Sequence, residues 1–266
     1  MATRTQLLTS NLASGRTEEA LSDARLLLEL LDETRNPDDR EGIFWSTTLA
    51  NLACGRIEPA REYAVLLAET ARDLTPHHRL HAVAMGLMIE ELAGRWEAVR
   101  AETAHAEQAV AENFATPCTM NARGLLVCAL ASAHAGDESE ARRLEASADA
   151  LKMKGYGQTI DAPRLRLALV RGDLEAAERL LESGEAMYFA ELAARAARLD
   201  ALAALGKRDR VEEEARPLLR PNTYLEPYAL RALGLMRQNE DLIAQAIERF
   251  EKMGLDWHAA ETRALL

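Results

Sequence analysis

Apolar residues recur along this chain at helical spacing, and the same short turn interrupts them repeatedly. Each turn begins with a glycine, continues with a polar residue and an acidic or polar stretch, and reaches Ala or Val five residues after the glycine. The first copy runs from Gly15 through Arg16 to Ala20. The six glycines are Gly15, Gly55, Gly94, Gly136, Gly172 and Gly206, and a seventh copy has Asn239 in the glycine position.

Conformational preferences explain why such a turn joins two helices. Glycine, and asparagine less readily, adopts the left-handed conformation that closes a helix. The acidic residues that follow lie in the first turn of the next helix, where they favour the positive end of its dipole. A small residue at the fifth position lets the two helices approach closely. The pattern therefore predicts a series of antiparallel helical hairpins.

The distance between successive turns indicates the kind of array. The spacings are 40, 39, 42, 36, 34 and 33 residues, and 34 residues is the period of tetratricopeptide (TPR) repeats. One hairpin cannot bury its apolar face alone, so neighbours stack and share a core. We predict an all-α fold in a single helical-repeat domain over 1–266. The predicted repeats span about 3–35, 41–74, 78–113, 119–153, 161–183, 187–219 and 224–253, with a half-repeat at 256–265.

Local signals predict several helix ends within these repeats. Thr75 is the expected cap of a helix that has Pro76 in its first position. The second helix of the third repeat is predicted to run without a break over 96–113. Gly155 is predicted to close the helix before it, whose last turn includes Lys154.

Composition strengthens the all-helical prediction. Ala occurs 50 times and Leu 42 times, whereas Ile and Val together occur 13 times and aromatic residues make up 5%. Ala and Leu are strong helix formers, while strands draw on β-branched and aromatic residues. A sandwich or barrel is thereby excluded. The 48% of hydrophobic residues also separates the chain from disordered ones.

Charge and cysteine content limit the classes of partner. The net charge is −11, and neither half of the chain is basic, so direct nucleic-acid binding by this segment is not expected. No apolar core of a signal peptide follows Met1, and no run of about 18 apolar residues occurs. Cys54, Cys118 and Cys128 form no CxxC pair and are interpreted as free thiols in a reducing compartment. We expect a cytoplasmic protein without a membrane partner, and the sequence leaves its oligomeric state open.

Two stretches resemble the helical-repeat regions of large bacterial regulators. The tail 247–254, followed by Trp257, Ala260 and Arg263, looks like the final hairpin of those regions, and the stretch 121–144 is also similar. The proteins are ATP-dependent LuxR-type (maltose-regulator-like) transcription regulators and ATPase-linked class III adenylate/guanylate cyclases. The resemblance implies a degenerate TPR-like, right-handed α-solenoid of about seven hairpins. It implies no ATPase, DNA-binding or cyclase activity, because the motifs of those activities are missing from this sequence.

A pair of histidines is the sharpest local cluster. His77 and His81 stand four residues apart on a predicted helix and could present two imidazoles to a metal. No Glu lies between them as in an HExxH motif, and the sequence shows no third ligand. An ordinary helix start is therefore favoured. We predict no metal site, no cofactor and no catalytic residue.

Three arginines fall at one repeat position in the last three repeats. Counting back eight residues from the turn position gives Arg164, Arg198 and Arg231. In TPR-like arrays the first helix of each hairpin lines the concave surface. A ladder of guanidinium groups on that surface would suit an acidic peptide. Alternatively, each arginine pairs with an acid such as Asp161, Glu191 or Asp200, or lies on a solvated face.

Two aromatic residues complete the candidate partner-binding set. Trp45 and Tyr228 are possible contact residues, and core packing is the alternative for both. The expected function is a non-enzymatic protein-interaction or regulatory scaffold, the sensor or partner-binding region of a larger bacterial signalling or transcriptional regulator. A stand-alone TPR adaptor for an acidic peptide is one alternative, and an α-toroid enzyme is another. Neither end has a polar capping helix, so we expect a piece of a longer protein or ends covered by a partner.

Overall fold

The computed structural model describes residues 2–153 and 155–266, and every regular element within them is helical. No strand occurs among these residues, which confirms the all-α prediction. Two short 3₁₀ turns, Tyr188–Ala190 and Arg216–Leu218, accompany the α-helices. In this described part the sixteen α-helices are α1 (Ala2–Ala13), α2 (Thr17–Glu29), α3 (Pro37–Ala53), α4 (Ile57–Ala71), α5 (Pro76–Ala93), α6 (Trp96–Ala101), α7 (Thr103–Glu112), α8 (Thr119–His134), α9 (Glu138–Ala150), α10 (Gln158–Val170), α11 (Leu174–Leu181), α12 (Glu191–Ala204), α13 (Arg208–Ala215), α14 (Glu226–Arg237), α15 (Glu240–Lys252) and α16 (Asp256–Arg263).

Three helix ends differ from the prediction. Pro76 is indeed the first residue of α5, but the Thr75 hydroxyl lies 2.8 Å from His78 Nδ1 and does not cap the backbone. The predicted helix over 96–113 is divided into α6 and α7 at Glu102, where the backbone tightens into a 3₁₀-type turn. α9 ends at Ala150, ahead of the predicted cap at Gly155, and Lys154 lies outside the described residues.

The six glycine turns adopt the predicted conformation. All six glycines have positive φ, from 64° at Gly55 to 78° at Gly136. The amide of Arg16 donates to the carbonyl of Asn11 at 2.8 Å, the bond that closes a helix in a Schellman motif. The residue five positions after each glycine is completely buried, which brings the paired helices into contact. These residues are Ala20, Ala60, Val99, Ala141, Ala177 and Val211.

The seventh turn corrects the predicted alignment by one residue. Gln238, and not Asn239, holds the left-handed conformation, with a φ of 53°. Asn239 is extended, and its side chain accepts a hydrogen bond from the amide of Leu242, so it is the N-cap of α15. Five residues after Gln238 stands Ile243, which is buried, whereas Ala244, five residues after Asn239, is exposed.

Helices pack mainly against their neighbours in the chain. α1 packs on α2, α3 on α4, α8 on α9 and α14 on α15, each as a consecutive pair. A second series runs between pairs, because α5, α8, α10, α12 and α14 pack one against the next. This order is compatible with a helical-repeat fold. The solenoid arrangement, its handedness and the count of seven hairpins stay predictions.

The last part of the chain returns to the first three turns. The amide of Tyr224 donates to the carbonyl of Ala53 at 3.0 Å, which ties the segment before α14 to the end of α3. Three further side chains lie directly on glycines of the early turns. The pairs are Arg220 on Gly15, Met253 on Gly55 and Trp257 on Gly94.

Ala and Leu side chains fill the interior, as their abundance suggests. Most of them belong to one continuous cluster. The first helical pair has a small cluster of its own, in which Leu8, Leu27 and Ile43 join α1, α2 and α3. None of the described helices combines the length and the apolar character that a membrane span requires.

Candidate functional site

A groove opens between the end of α1 and the start of α12. It consists of two adjoining cavities with volumes of about 200 Å³ and 820 Å³. Tyr188, Arg195 and Leu218 line both cavities, so the 3₁₀ turns Tyr188–Ala190 and Arg216–Leu218 contribute to both. We call this concavity the α1–α12 groove.

The smaller cavity is largely apolar, and its surface includes Leu12, Leu49 and Leu225. Phe189 lies beneath it with a nearly perpendicular contact to Tyr188, whose ring centroid is 5.6 Å away. Tyr188 itself is 41% exposed at the point where the two cavities meet. The groove thus has an aromatic residue in reach of an incoming ligand.

Only one of the three predicted arginines lines this groove. Arg198 borders the larger cavity, and its guanidinium donates to Glu214 Oε1 at 2.9 Å and to the carbonyl of Leu181 at 2.6 Å. Arg164 lies outside the groove and donates to Asp149 Oδ1 at 2.5 Å. Both arginines pair with acids that the sequence analysis did not name.

The third arginine is buried, because the seventh turn is shifted by one residue. Eight positions before Gln238 stands Leu230, so Arg231 does not share the register of the other two arginines. Arg231 donates to Asp200 Oδ1 at 2.6 Å, and its guanidinium carbon lies 5.0 Å from the centre of the Tyr228 ring. The pairing with Asp200 was the alternative that the sequence left open. The three arginines therefore do not form a single row.

Trp45 and Tyr228 are both interior residues and do not line the groove. The Trp45 ring packs edge-on against Phe189, with 6.1 Å between centroids. The hydroxyl of Tyr228 is 2.7 Å from that of Tyr224 and 3.1 Å from His258 Nε2, in a fully buried hydrogen-bonded group. Core packing, the alternative for both residues, describes their surroundings.

A set of buried charges that was not predicted from the sequence lies between α5, α8 and α10. Arg123 Nη2 donates to Glu91 Oε2 at 2.6 Å, and the two side chains are 2% and 0% exposed. Arg166 is buried nearby; burial acts to lower its pKa, but neighbours that include Tyr228 and Glu91 outweigh this and raise it. The available signal was a charged residue inside an otherwise apolar helical run, such as Arg123 among residues 122–130. These charges therefore lie between helices α5, α8 and α10, each of which is the first helix of a predicted hairpin.

A second interior group surrounds the turn at Gly94. The His134 ring stacks on Trp96 with 4.3 Å between centroids and meets Trp257 edge-on at 5.1 Å. Burial, with a smaller contribution from the positive charge of Arg166, lowers the pKa of His134 from 6.5 to about 4. The imidazole is therefore neutral at pH 7.

Replacing His134 by Phe is expected to make the free energy of unfolding less dependent on pH between 6.5 and 4. The unfolded chain binds a proton at this histidine below its ordinary pKa of 6.5, while the native chain resists protonation down to about 4. Stability is thus lost as the pH falls through that window. Between pH 6.5 and 4, the free energy of unfolding should fall by about 1–3 kcal/mol less in the Phe variant than in the natural chain, as measured by urea unfolding. Parallel profiles would contradict the assignment.

No family model matches this chain, and no curated protein matches it. The similarity to LuxR-type regulators and ATPase-linked cyclases thus has no support from a family or a homologue. The many packed helices remain compatible with the helical-repeat part of that resemblance.

Proposed function

We propose that this chain is a non-enzymatic protein-interaction scaffold that binds a segment of a partner protein in the α1–α12 groove. The observation that carries the proposal is the larger cavity of about 820 Å³ beside an exposed aromatic ring. Its volume falls within the range of ligand sites, about 300–1,000 Å³. An exposed aromatic residue at the edge of an apolar recess is a common anchor point in protein recognition.

The walls of the groove support a regulatory role for such binding. One wall is formed by the first helical pair and the end of α3, and the other by residues between 158 and 225. The first pair shares a small apolar cluster with α3, and this cluster meets the main core only through partly buried leucines such as Leu12 and Leu31 among the described residues. A ligand that contacts both walls would therefore couple two parts of the chain. We extend the proposal to a sensor region of a larger bacterial signalling or transcriptional regulator, built as a TPR-like right-handed α-solenoid of about seven hairpins.

Charge in the groove bears on the adaptor alternative, in which an acidic peptide occupies the concave surface. Arg195 and Arg198 line the larger cavity, but both are already paired with glutamates. Acidic residues there outnumber the arginines even though three of the acids are paired with arginines themselves, so an apolar or basic segment suits the cavity better than an acidic one. The four acids are Glu182, Glu185, Glu191 and Glu214.

Replacing Tyr188 by Ala is expected to weaken peptide binding about 10-fold to 100-fold. The probe is the set of peptides that the intact chain enriches from a random displayed library, each then measured by fluorescence anisotropy. Truncation of a central aromatic anchor typically costs about 2 kcal/mol or more of binding free energy, and 1.4 kcal/mol corresponds to a tenfold change. Failure to enrich any peptide would overturn the proposal.

Tyr156 provides a matched control for this experiment. It is 42% exposed, against 41% for Tyr188, and it does not line either cavity of the groove. The Tyr156→Ala variant should bind the selected peptides with the affinity of the natural chain. Equal losses in the two variants would show that the peptides bind elsewhere.

A further inference from the structure

Three metal-binding side chains converge at the beginning of two helices. His77 and His81 lie in the first two turns of α5, and Cys118 immediately precedes α8. One ligand atom from each of the three lies within 4.8 Å of the other two. All three side chains are partly exposed, so an ion has access from solvent. Cys118 supplies the third ligand that the sequence did not reveal, because it stands 37 residues after His81.

The backbone holds these side chains in place. Pro76 begins α5, and the four-residue spacing puts both histidines on one face of the helix, with 4.2 Å between ring centroids. Cys118 is the N-cap of α8, and its amide donates to Asn121 Oδ1 at 2.9 Å. The thiol therefore occupies a position that the start of the helix fixes.

The distance between His81 and Cys118 fits a tetrahedral centre. Zn²⁺ binds imidazole nitrogen at about 2.0–2.1 Å and thiolate sulfur at about 2.3 Å, so a tetrahedral angle places the two ligand atoms about 3.5 Å apart. His81 Nε2 and Cys118 Sγ are separated by 3.5 Å. The carbonyl of Thr116 lies 3.3 Å from His77 Nδ1 and orients that ring, as the carbonyls beside zinc-binding histidines do.

We propose that His77, His81 and Cys118 bind one Zn²⁺ ion, with water in the fourth position. Mixed imidazole and thiolate ligands suit this borderline-soft ion, and three protein ligands leave one position open. On binding, the thiol of Cys118 loses its proton to solvent and the sulfur forms the bond to zinc, so one proton is released per ion. The ion would join the start of α5 to the start of α8. This site is separate from the α1–α12 groove and does not depend on the proposed function.

The test is Zn²⁺ binding to the full, untagged chain by titration calorimetry in buffers of different ionisation enthalpy. One ion should bind per chain with release of about one proton, and at a free Zn²⁺ concentration of 100 times Kd the Tm should rise by about 5 °C. His77→Ala and Cys118→Ala should each weaken binding by at least about 100-fold, since even loss of an orienting partner costs 10–100-fold. His78→Ala is the matched control and should leave the affinity unchanged.

Co²⁺ in place of Zn²⁺ identifies the sulfur ligand. A thiolate bound to Co²⁺ gives a charge-transfer absorption in the near ultraviolet, which should vanish in Cys118→Ala and persist in Cys54→Ala. If Cys118→Ala does not fold, His77→Ala decides the affinity, because the His77 side chain is partly exposed and its truncation should leave the fold intact. No stoichiometric binding, binding that survives both alanine variants, or an equal loss in His78→Ala would overturn the proposal.

Discussion

Replacing Arg123 by Met is expected to lower the free energy of unfolding by about 3–5 kcal/mol. The guanidinium is the hydrogen-bonding partner of Glu91, whose side chain is completely buried. Met fills much of the volume of the arginine stem but leaves the carboxylate without its ion pair, and an uncompensated buried charge has this cost. One oxygen of Glu91 already has no hydrogen-bond partner within the described part of the chain, and the charge of the nearby Arg166 compensates only in part. Urea unfolding at neutral pH measures the loss.

The same substitution at Arg143 is the matched control. Arg143 is bound by Glu107 and Glu140, but its side chain is 47% exposed, so Arg143→Met should change stability by no more than about 1 kcal/mol. The double variant Glu91→Met with Arg123→Met removes both charges, and should be at least about 2 kcal/mol more stable than the sum of the single losses indicates. A loss below 1 kcal/mol for Arg123→Met would contradict the role assigned to the pair.

Local rules predicted the turns because each turn depends on residues close together in the chain. A glycine with positive φ and a buried small residue five positions later recur at six places. The rule was wrong by one residue at the seventh place, where Asn239 stands. Asparagine serves both as a left-handed residue and as an N-cap, and only the bond from the Leu242 amide to its side chain shows which role it has.

Contacts between distant parts of the chain could not be predicted in the same way. The contact of Arg220 with Gly15 joins residues 205 positions apart. Such contacts depend on how helices pack over the whole chain, which leaves no local pattern in the sequence. The α1–α12 groove arises from this long-range packing, so the sequence did not identify Tyr188 as a lining residue.

The roles of the candidate side chains were harder to predict than the helices, because each role depends on whether the side chain is buried. An arginine in an Ala/Leu-rich helix has the same pattern whether it faces solvent, as Arg164 does, or the interior, as Arg231 does. The one-residue shift at the seventh turn is enough to move Arg231 from the predicted row into contact with Tyr228. Cys118 is a free thiol, as predicted, but its distance from His81 along the chain conceals that the two side chains are neighbours.

Substituting Ala for Gly94 is expected to destabilise the protein by about 2–5 kcal/mol. Gly94 has a φ of 70°, and a Cβ there would lie 2.8 Å from Trp257 Cε3 and 2.9 Å from Trp257 Cβ. The left-handed conformation costs an L-residue about 1–2 kcal/mol, and overpacking adds about 1–3 kcal/mol. Gly136 is the matched control, because its φ is 78° and no atom lies within 4 Å of a Cβ built there. Gly136→Ala should therefore cost only about 1–2 kcal/mol, with both losses measured by urea unfolding.

The difference between the two glycines tests whether α16 is fixed on the third turn. Trp257 cannot move aside easily, because its ring packs edge-on against those of Trp96 and His134, with centroid distances of 5.3 Å and 5.1 Å. In a Trp257→Ala background the clash is gone, so Gly94→Ala should then cost no more than Gly136→Ala. Amide exchange in α16 should also accelerate in Gly94→Ala but not in Gly136→Ala, because only the first displaces the helix. Equal costs at the two glycines in the natural background would mean that α16 yields freely, and that the return of the chain to its first turns contributes little to stability.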